Sequence, residues 1–252
     1  MTMIDIHTHL LPGLDDGARD FARSLEMARL AVADGITRMI ATPHSYGERG
    51  FYQLLPAEIR SQIQKLQTEL KVEKIPLQIG IGMEVLLDEE SLDYIRRGWL
   101  LPLADSDCLL CEFAGEDADT MTERLERVAK AGYRPIVAHP ERYRALWKSG
   151  RTILEWKRRG WYLQLNAASL TAQPIGFRER HSSMGRESRV AWEMLKADAV
   201  FAVASDAHDL LCRPPVLSAA RKAVEERLGG EQAEKLFLEN PNSLFFRSYS
   251  EL

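Results

Sequence analysis

Apolar residues along this chain fall into two alternating kinds of segment. Short, nearly continuous apolar runs occur at Met3–Ile6, Ile36–Thr42, Leu77–Glu84, Cys108–Phe113, Pro135–Ala138, Trp161–Leu165 and Ala199–Ser205. They mostly lack polar alternation, the pattern of strands buried on both faces of a parallel sheet. Between them lie longer stretches whose apolar residues recur every three or four positions, as on one face of a helix. Arg19–Asp34 places Phe21, Leu25, Ala28 and Val32 on one stripe, and Gly35 stops it. Pro56–Val72, Asp117–Ala131, Arg151–Arg159, Arg186–Lys196 and Val216–Leu228 read the same way, with Gly132 and Gly160 ending two of them. A last short helix over Glu231–Leu238 ends before Asn240-Pro241.

Strand starts recur every few tens of residues, room for one crossover helix each. Seven such βα units with no Pro/Ser-rich linker predict an α/β fold in one domain, residues 1–252, with a parallel TIM-like barrel that is incomplete at seven strands. The length of 252 residues suits one barrel of this kind. The least regular stretch, Ala167–Glu187, carries Pro174, Gly176, Gly185 and the basic cluster Arg178, Arg180, His181 and Arg186, and reads as a loop or short helical excursion.

Composition narrows the classes. Apolar residues make up 45% and charged ones 28%, an ordinary globular balance. The net charge of −4 carries no basic surplus, so no nucleic-acid partner is expected. An anionic substrate then needs local positive charge from clustered Arg or from metal ions. The longest uninterrupted apolar run, Ala199–Ala204, is far too short to span a membrane, and MTMIDIHTHL has no positively charged start followed by an apolar core. Three cysteines make no disulfide framework. The expectation is a cytoplasmic protein without membrane insertion; the pattern carries no signal for an oligomeric state.

The chemistry sits at the C-terminal ends of the predicted strands. His7 and His9 follow the first, in DIHTHL, with Asp15-Asp16-Gly17 shortly after. His44 follows the second, Glu84 ends the third and Glu112 the fourth. His139 follows the fifth, in AHPER, and Asp206 and His208 follow the last, in SDAH. In a parallel barrel these ends share one face, the face on which barrel active sites are built. Alternation along a strand points both histidines of a His-x-His to one side. So many converging charges cannot be buried without cations. A mix of imidazole and carboxylate without thiolate suits Mn, Fe, Zn or Co better than Mg or Ca alone. Nine such ligands exceed what one ion needs, and a cluster of two or three ions points to metal-assisted hydrolysis.

Other routes lack their residues. A cysteine-based phosphatase needs Cys-x5-Arg, but Ala114, Asp117 and Ser218 stand six residues after Cys108, Cys111 and Cys212. Cys108-Leu-Leu-Cys111 falls within a buried strand and reads as structural filling. Asp105-x-Asp107 precedes its strand and reads as a turn, and His181 reads as a surface residue.

The motifs MIDIHTHLLPGLDDGARD, TPH, GMEV, EF, AHPERY and ASDAHDLLCRP, in this order, resemble the PHP (polymerase and histidinol phosphatase) superfamily. The likeness is closest to its bacterial capsular-polysaccharide-type protein tyrosine phosphatases and runs from Met3 to about Pro215. It implies a distorted seven-stranded (β/α) barrel, the PHP fold, with the active site at the C-terminal ends of the strands. It implies two to three divalent ions, manganese foremost, on His7, His9, Asp16, His44, Glu84, Glu112, His139, Asp206 and His208, with Asp16 rather than Asp15 as the ligand. It also implies that Arg142 and Arg213 grip the phosphate, in keeping with the planar fork of a guanidinium, while His139 and Asp206 act in catalysis. The expected reaction is hydrolysis of phosphotyrosine on a protein, expected to be a membrane-associated tyrosine autokinase controlling capsular or exopolysaccharide synthesis and export. Hydroxide formed at the metals attacks phosphorus in line, with no cysteinyl-phosphate.

Two alternatives share the fold: a phosphomonoesterase for a small metabolite such as histidinol phosphate, and a metal-binding module without catalysis. The amidohydrolase barrel also opens with His-x-His but wants a Lys and a His where Glu112 and Asn166 stand. Asn166-Ala167-Ala168-Ser169-Leu170 fits the family pattern, and Thr171–Arg189 departs from it. The Tyr46–Tyr52 segment, with two Tyr and Phe51, is either a lid that stacks on a phenyl ring or a plain surface loop.

Overall fold

A computed structural model describes residues 2–45, 54–171 and 183–246. Among the described residues, eight parallel strands form two sheets: β1 (Met3–Thr8), β2 (Ile36–Ala41) and β3 (Gln78–Ile81) make the first. The second, in chain order, comprises β4 (Glu84–Leu86), β5 (Cys108–Glu112), β6 (Arg134–Ala138), β7 (Tyr162–Asn166) and β8 (Val200–Ala204). The α/β class with parallel strands follows the expectation, but the count is eight strands in two sheets rather than seven in one.

The difference arises where one long third strand was expected. The chain pairs with β2 as far as Ile81, breaks at Gly82-Met83, and pairs with β5 from Glu84 onwards. A Cβ at Gly82 would sit 3.0 Å from both Ile40 and Leu103, so the close approach at this change of partner favours glycine. Two isolated parallel bridges link the sheets, Thr8 to Ala207 and His44 to Glu84.

Alternate strand residues pack on opposite sides. Ile4, Ile6, Ile40, Leu110, Ile136, Ala138, Ala202 and Ala204 share one cluster, closed by Leu244 from the C-terminal helix. Met39, Ala41, Leu109, Cys111, Val137, Leu163 and Val203 join the larger cluster beneath the surrounding helices. Burial of both faces explains the continuous apolar runs.

The helices form largely where periodicity places them, at Phe21–Asp34, Pro56–Val72, Ala118–Lys130, Gly150–Arg158 and Ser218–Leu228. Asp20 caps the first through the Arg23 amide, and Gly35 ends it at φ 96°. Glu89–Arg97 is an additional helix, absent from the periodicity reading; Asp88 and Ser91 cap it reciprocally. The expected stop before Asn240-Pro241 does not occur. A π-helical turn over Lys235–Glu239 runs without a break into a helix over Asn240–Phe246, so the hydrogen-bond ladder is already irregular where Pro241 offers no amide.

Within the irregular stretch, Ala167–Thr171 is helical, and the next helix among the described residues, Ser183–Lys196, already covers positions before the expected Arg186. His181 and the Tyr46–Tyr52 segment lie outside the described residues. Cys108 and Cys111 are buried free thiols on β5. Asp105 closes a short 3-10 turn, Leu103–Asp105, and pairs with Arg60. Among the described residues no helix is long and apolar enough to cross a membrane.

Candidate metal centre

The loops and ends following the strands bring all nine of the expected residues together. Their ligand atoms form four overlapping groups in which all atoms lie within 4.8 Å of one another: His9, Asp16, His44 and His208; His7, Glu84 and His139; His7, His9 and Asp206; His44, Glu84 and Glu112. All are buried except Asp16, which is 42% exposed and stands at the mouth.

Local backbone choices aim these side chains. β1 has a register irregularity between Asp5 and Thr8, around His7. Irregularities of this kind re-aim side chains. The Asp5 carboxylate holds the segment by accepting from the amides of His7 (3.3 Å) and Ser205 (3.0 Å). His139, immediately after β6, and Asp206, two residues after β8, sit in the left-handed region at φ 34° and 54°. Such strained conformations of non-glycine residues gather at functional sites.

His7 Nε2 lies 3.3 Å from His9 Nε2, and both lie 3.3 Å from Glu84 Oε2. His139 Nε2 lies 2.8 Å from Glu84 Oε1. His44 Nδ1 lies 3.1 Å from Glu84 and 3.7 Å from Glu112. His208 Nε2 lies 3.1 Å from Asp16, yet that buried nitrogen makes no hydrogen bond. These donors fit divalent cations. His9 Nδ1 is directed at Asp15 Oδ2 (2.7 Å), a carboxylate that only accepts, so its Nε2 faces that of His7 across a gap suited to a shared cation.

The electrostatics agree. Burial alone would lower the pKa of His7, but the charges of Glu84 and Asp206 outweigh it and push it up to about 9. Burial opposes the charged form of His9 too, and Asp15 reverses the effect and raises it well above its ordinary value. Glu84 and Asp206 are held far below the usual carboxylate range, His7 overcoming the burial that acts against each. The pocket therefore draws positive charge, as protons or as metal ions.

Arg142 and Arg213, both partly exposed, stand at the rim. Arg142 donates to Asp206 Oδ2 at 3.3 Å, while Arg213 lies 3.9 Å from that oxygen and 3.5 Å from Asp16. Beside them opens a cavity of about 370 Å³, walled partly by Ala167, Ala168, Pro214 and Val216.

Residues that strand-end reasoning passed over support the cluster. Gln164 accepts from His7 Nδ1 at 2.8 Å, and Asn166 donates to Asp206 at 2.9 Å. Asp15 holds His9 and receives the amides of Gly17 and His44. Buried Glu141 accepts from the Asn166 amide and from Ser169. The Tyr143 ring lies beside His139, and its hydroxyl accepts from the Phe113 amide. The spacing Gln164-x-Asn166 on one strand face was the legible signal for the first two; Asp15, Glu141, Tyr143 and Ser169 stand inside the family-like motifs, which gave them no role of their own.

This assembly has counterparts among known proteins. The family described as "Capsular polysaccharide synthesis, CpsB/CapC" matches residues 3–246. The chain belongs to the CpsB/CapC family. It is 33% identical over 231 residues to the tyrosine-protein phosphatase YwqE of Bacillus subtilis (strain 168), covering 91% of this chain and 86% of that one. It is 30% identical over 251 residues to the tyrosine-protein phosphatase CpsB of Streptococcus agalactiae, covering 98% of this chain and all of the relative. A solved structure from the pair YwqE of Bacillus subtilis and CpsB of Streptococcus pneumoniae, described as unique metal-dependent tyrosine phosphatases, superposes with a TM-score of 0.86 at 32% identity. That match covers 97% of this chain and 95% of the other. Within the CpsB/CapC family, the nine-residue cluster with its two arginines is this chain's candidate for the metal-dependent site.

Proposed function

We propose that this CpsB/CapC family member is a metal-dependent protein-tyrosine phosphatase that hydrolyses phosphotyrosine on proteins of capsular or exopolysaccharide synthesis. The observation that carries the reading is the pairing of Arg142 and Arg213 with a cluster of five histidines and four carboxylates beneath them. It is strengthened by the close structural likeness to a metal-dependent tyrosine phosphatase.

Two to three divalent ions, manganese foremost, would be held by His7, His9, Asp16, His44, Glu84, Glu112, His139, Asp206 and His208. The four candidate groups share His7, His9, His44 and Glu84, so they describe fewer ions than groups. When bound, the ions supply Lewis-acid charge to phosphoryl oxygens and a nucleophile drawn from water near neutral pH.

The chain's own residues do the rest. Arg142 and Arg213 present planar forks to the phosphate and neutralise its equatorial oxygens in the transition state. An arriving phosphate dianion competes with Asp206 and Asp16 for these guanidinium groups, which draws them over the cluster. The cavity beside them has room for the tyrosine ring. A phenol leaves with a pKa near ~10, so the site needs no strong general acid. No thiol attack is involved: Cys108 and Cys111 are buried and burial raises both, and exposed Cys212, which lines the cavity, has Ser218 where a cysteine-based phosphatase needs Arg.

The physiological substrate in this reading is a membrane-associated tyrosine autokinase. The enzyme acts in the cytoplasm, in keeping with three free cysteines. Residues 1–252 are read as one domain, and the two sheets with their bridges as the distorted PHP barrel. The test is phosphate release from a phosphotyrosyl peptide with and without added manganese, set against histidinol phosphate. Metal-dependent turnover of the peptide is expected; preference for histidinol phosphate would assign the site to small-metabolite chemistry instead, and an inert metal-loaded protein to a binding module.

A further inference from the structure

Four buried side chains form an unbroken line of hydrogen bonds behind the cluster. His7 Nδ1 lies 2.8 Å from Gln164 Oε1, Gln164 Nε2 lies 3.0 Å from Asn166 Oδ1, and Asn166 Nδ2 lies 2.9 Å from Asp206 Oδ2. The direction of this line is set at one end. A carboxylate only accepts, so Asn166 must turn its NH2 to Asp206 and its oxygen to Gln164. Gln164 must then donate through Nε2 and accept through Oε1. His7 is left to donate through Nδ1, which leaves its Nε2 facing His9 and Glu84.

The line is anchored at Asn166 as well. The backbone amide of Asn166 donates to Glu141 Oε1 at 2.9 Å, and Ser169 donates to the same oxygen at 2.9 Å. Asp206 Oδ2 receives both Asn166 and Arg142, while Oδ1 faces His7 at 3.4 Å and His9 at 3.5 Å. One carboxylate oxygen thus serves the line and the rim arginine, and the other serves the cluster.

We propose that Gln164 and Asn166 are positioning residues that orient His7 and Asp206 as metal ligands through one directional hydrogen-bond relay. The relay fixes which imidazole nitrogen and which carboxylate oxygen face the ions, and it joins the phosphate-gripping Arg142 to the far side of the centre. The inference rests on reading the cluster as a metal centre. A purely space-filling role is the alternative: polar groups placed there only because the strand is buried, replaceable by apolar side chains of equal size.

The test compares manganese affinity, by chelator competition, and bound metal per chain in the wild type, Q164M, N166L and H139A. Q164M and N166L nearly keep the side-chain volumes but break the relay. They are expected to bind manganese roughly 10–100-fold more weakly, the usual effect of losing a hydrogen-bond partner of a ligand, with metal-free melting little changed. Long-range 15N spectra of the wild type loaded with diamagnetic zinc supply a signature that space-filling would not: His7 protonated at Nδ1 and coordinated through Nε2. This measurement decides the matter even where a variant fails to fold. Coordination of His7 through Nδ1, or affinity within about twofold of wild type in both variants while H139A loses metal, overturns the relay alone. Absence of metal binding in the wild type overturns the metal-centre reading and the relay with it.

Discussion

Gly17 rests directly on His9: a Cβ at position 17 would lie 2.1 Å from the His9 carbonyl oxygen and 2.4 Å from its Cβ. The Gly17 amide also donates to Asp15, and the neighbouring Ala18 amide donates to the His9 carbonyl. The loop carrying Asp15 and Asp16 is thus pressed against the strand end carrying the histidines. No side chain fits between them. G17A should force the loop outward, cost about 1–3 kcal/mol of stability, and lower metal content and turnover together. Thermal melting and metal analysis check this; full metal loading at the wild-type melting temperature would show that the contact does not set the loop.

His139 and Asp206 follow their strands in left-handed conformations and enter the cluster from the middle strand, β6, and the end strand, β8, of the second sheet. H139A and D206A should each reduce phosphotyrosyl-peptide turnover to background and lower bound metal. Metal content measured beside the rate separates lost metal from lost chemistry. Retained turnover in both variants would remove the cluster from the reaction.

Arg142 and Arg213 both reach toward Asp206 Oδ2, so each can turn from a carboxylate to a phosphate. Lysine keeps the charge but not the two-pronged donor. R142K and R213K should lose about 1.5–3 kcal/mol of transition-state stabilisation, seen as roughly 10–100-fold lower kcat/KM. Metal content should stay unchanged. Steady-state kinetics on a phosphotyrosyl peptide measure the loss, and a variant as fast as wild type would clear that arginine of phosphate binding.

Protons and metal ions compete for the same histidines, so metal binding should stabilise the fold. At free metal a thousandfold above Kd the gain is about 4 kcal/mol. Chelation should abolish activity and lower the melting temperature, and added manganese should restore both. An activity indifferent to chelator with bound metal removed would contradict the mechanism.

Burial pushes the Cys108 thiol up to about 11 and Cys111 higher still, whereas Cys212 is exposed. At pH 8 only about one Cys108 in a thousand is thiolate. Iodoacetamide should therefore label Cys212 alone in the folded protein, as read by mass spectrometry. C212S should keep its turnover, because no thiolate attacks phosphorus; loss of activity in C212S would reopen a thiol role.

Much of the molecule is legible in the sequence alone. Both-face burial writes itself as unbroken apolar runs, so the strands, most helices and the parallel α/β class could be read from Ile36–Thr42 or Arg19–Asp34 alone. Eight of the nine cluster residues were legible for the same reason, each standing at or shortly after an expected strand end, while Asp16 was told from Asp15 only by the family resemblance. The helix Glu89–Arg97 escaped because its signal was a cap, Asp88 with Ser91, rather than a stripe.

What only the tertiary structure decided depends on contacts between residues far apart in sequence. The chain changes partner at Gly82, where Ile40 and Leu103 crowd the position of a side chain, and no local pattern encodes such neighbours. Gln164 lies 157 positions from His7, and its spacing with Asn166 marks a shared strand face without naming the partner that faces it. The sequence by itself determined which groups are available to bind metal and phosphate. Folding decided which nitrogen and which oxygen of each face the centre, because hydrogen-bond direction is a property of the assembled network and not of any one residue.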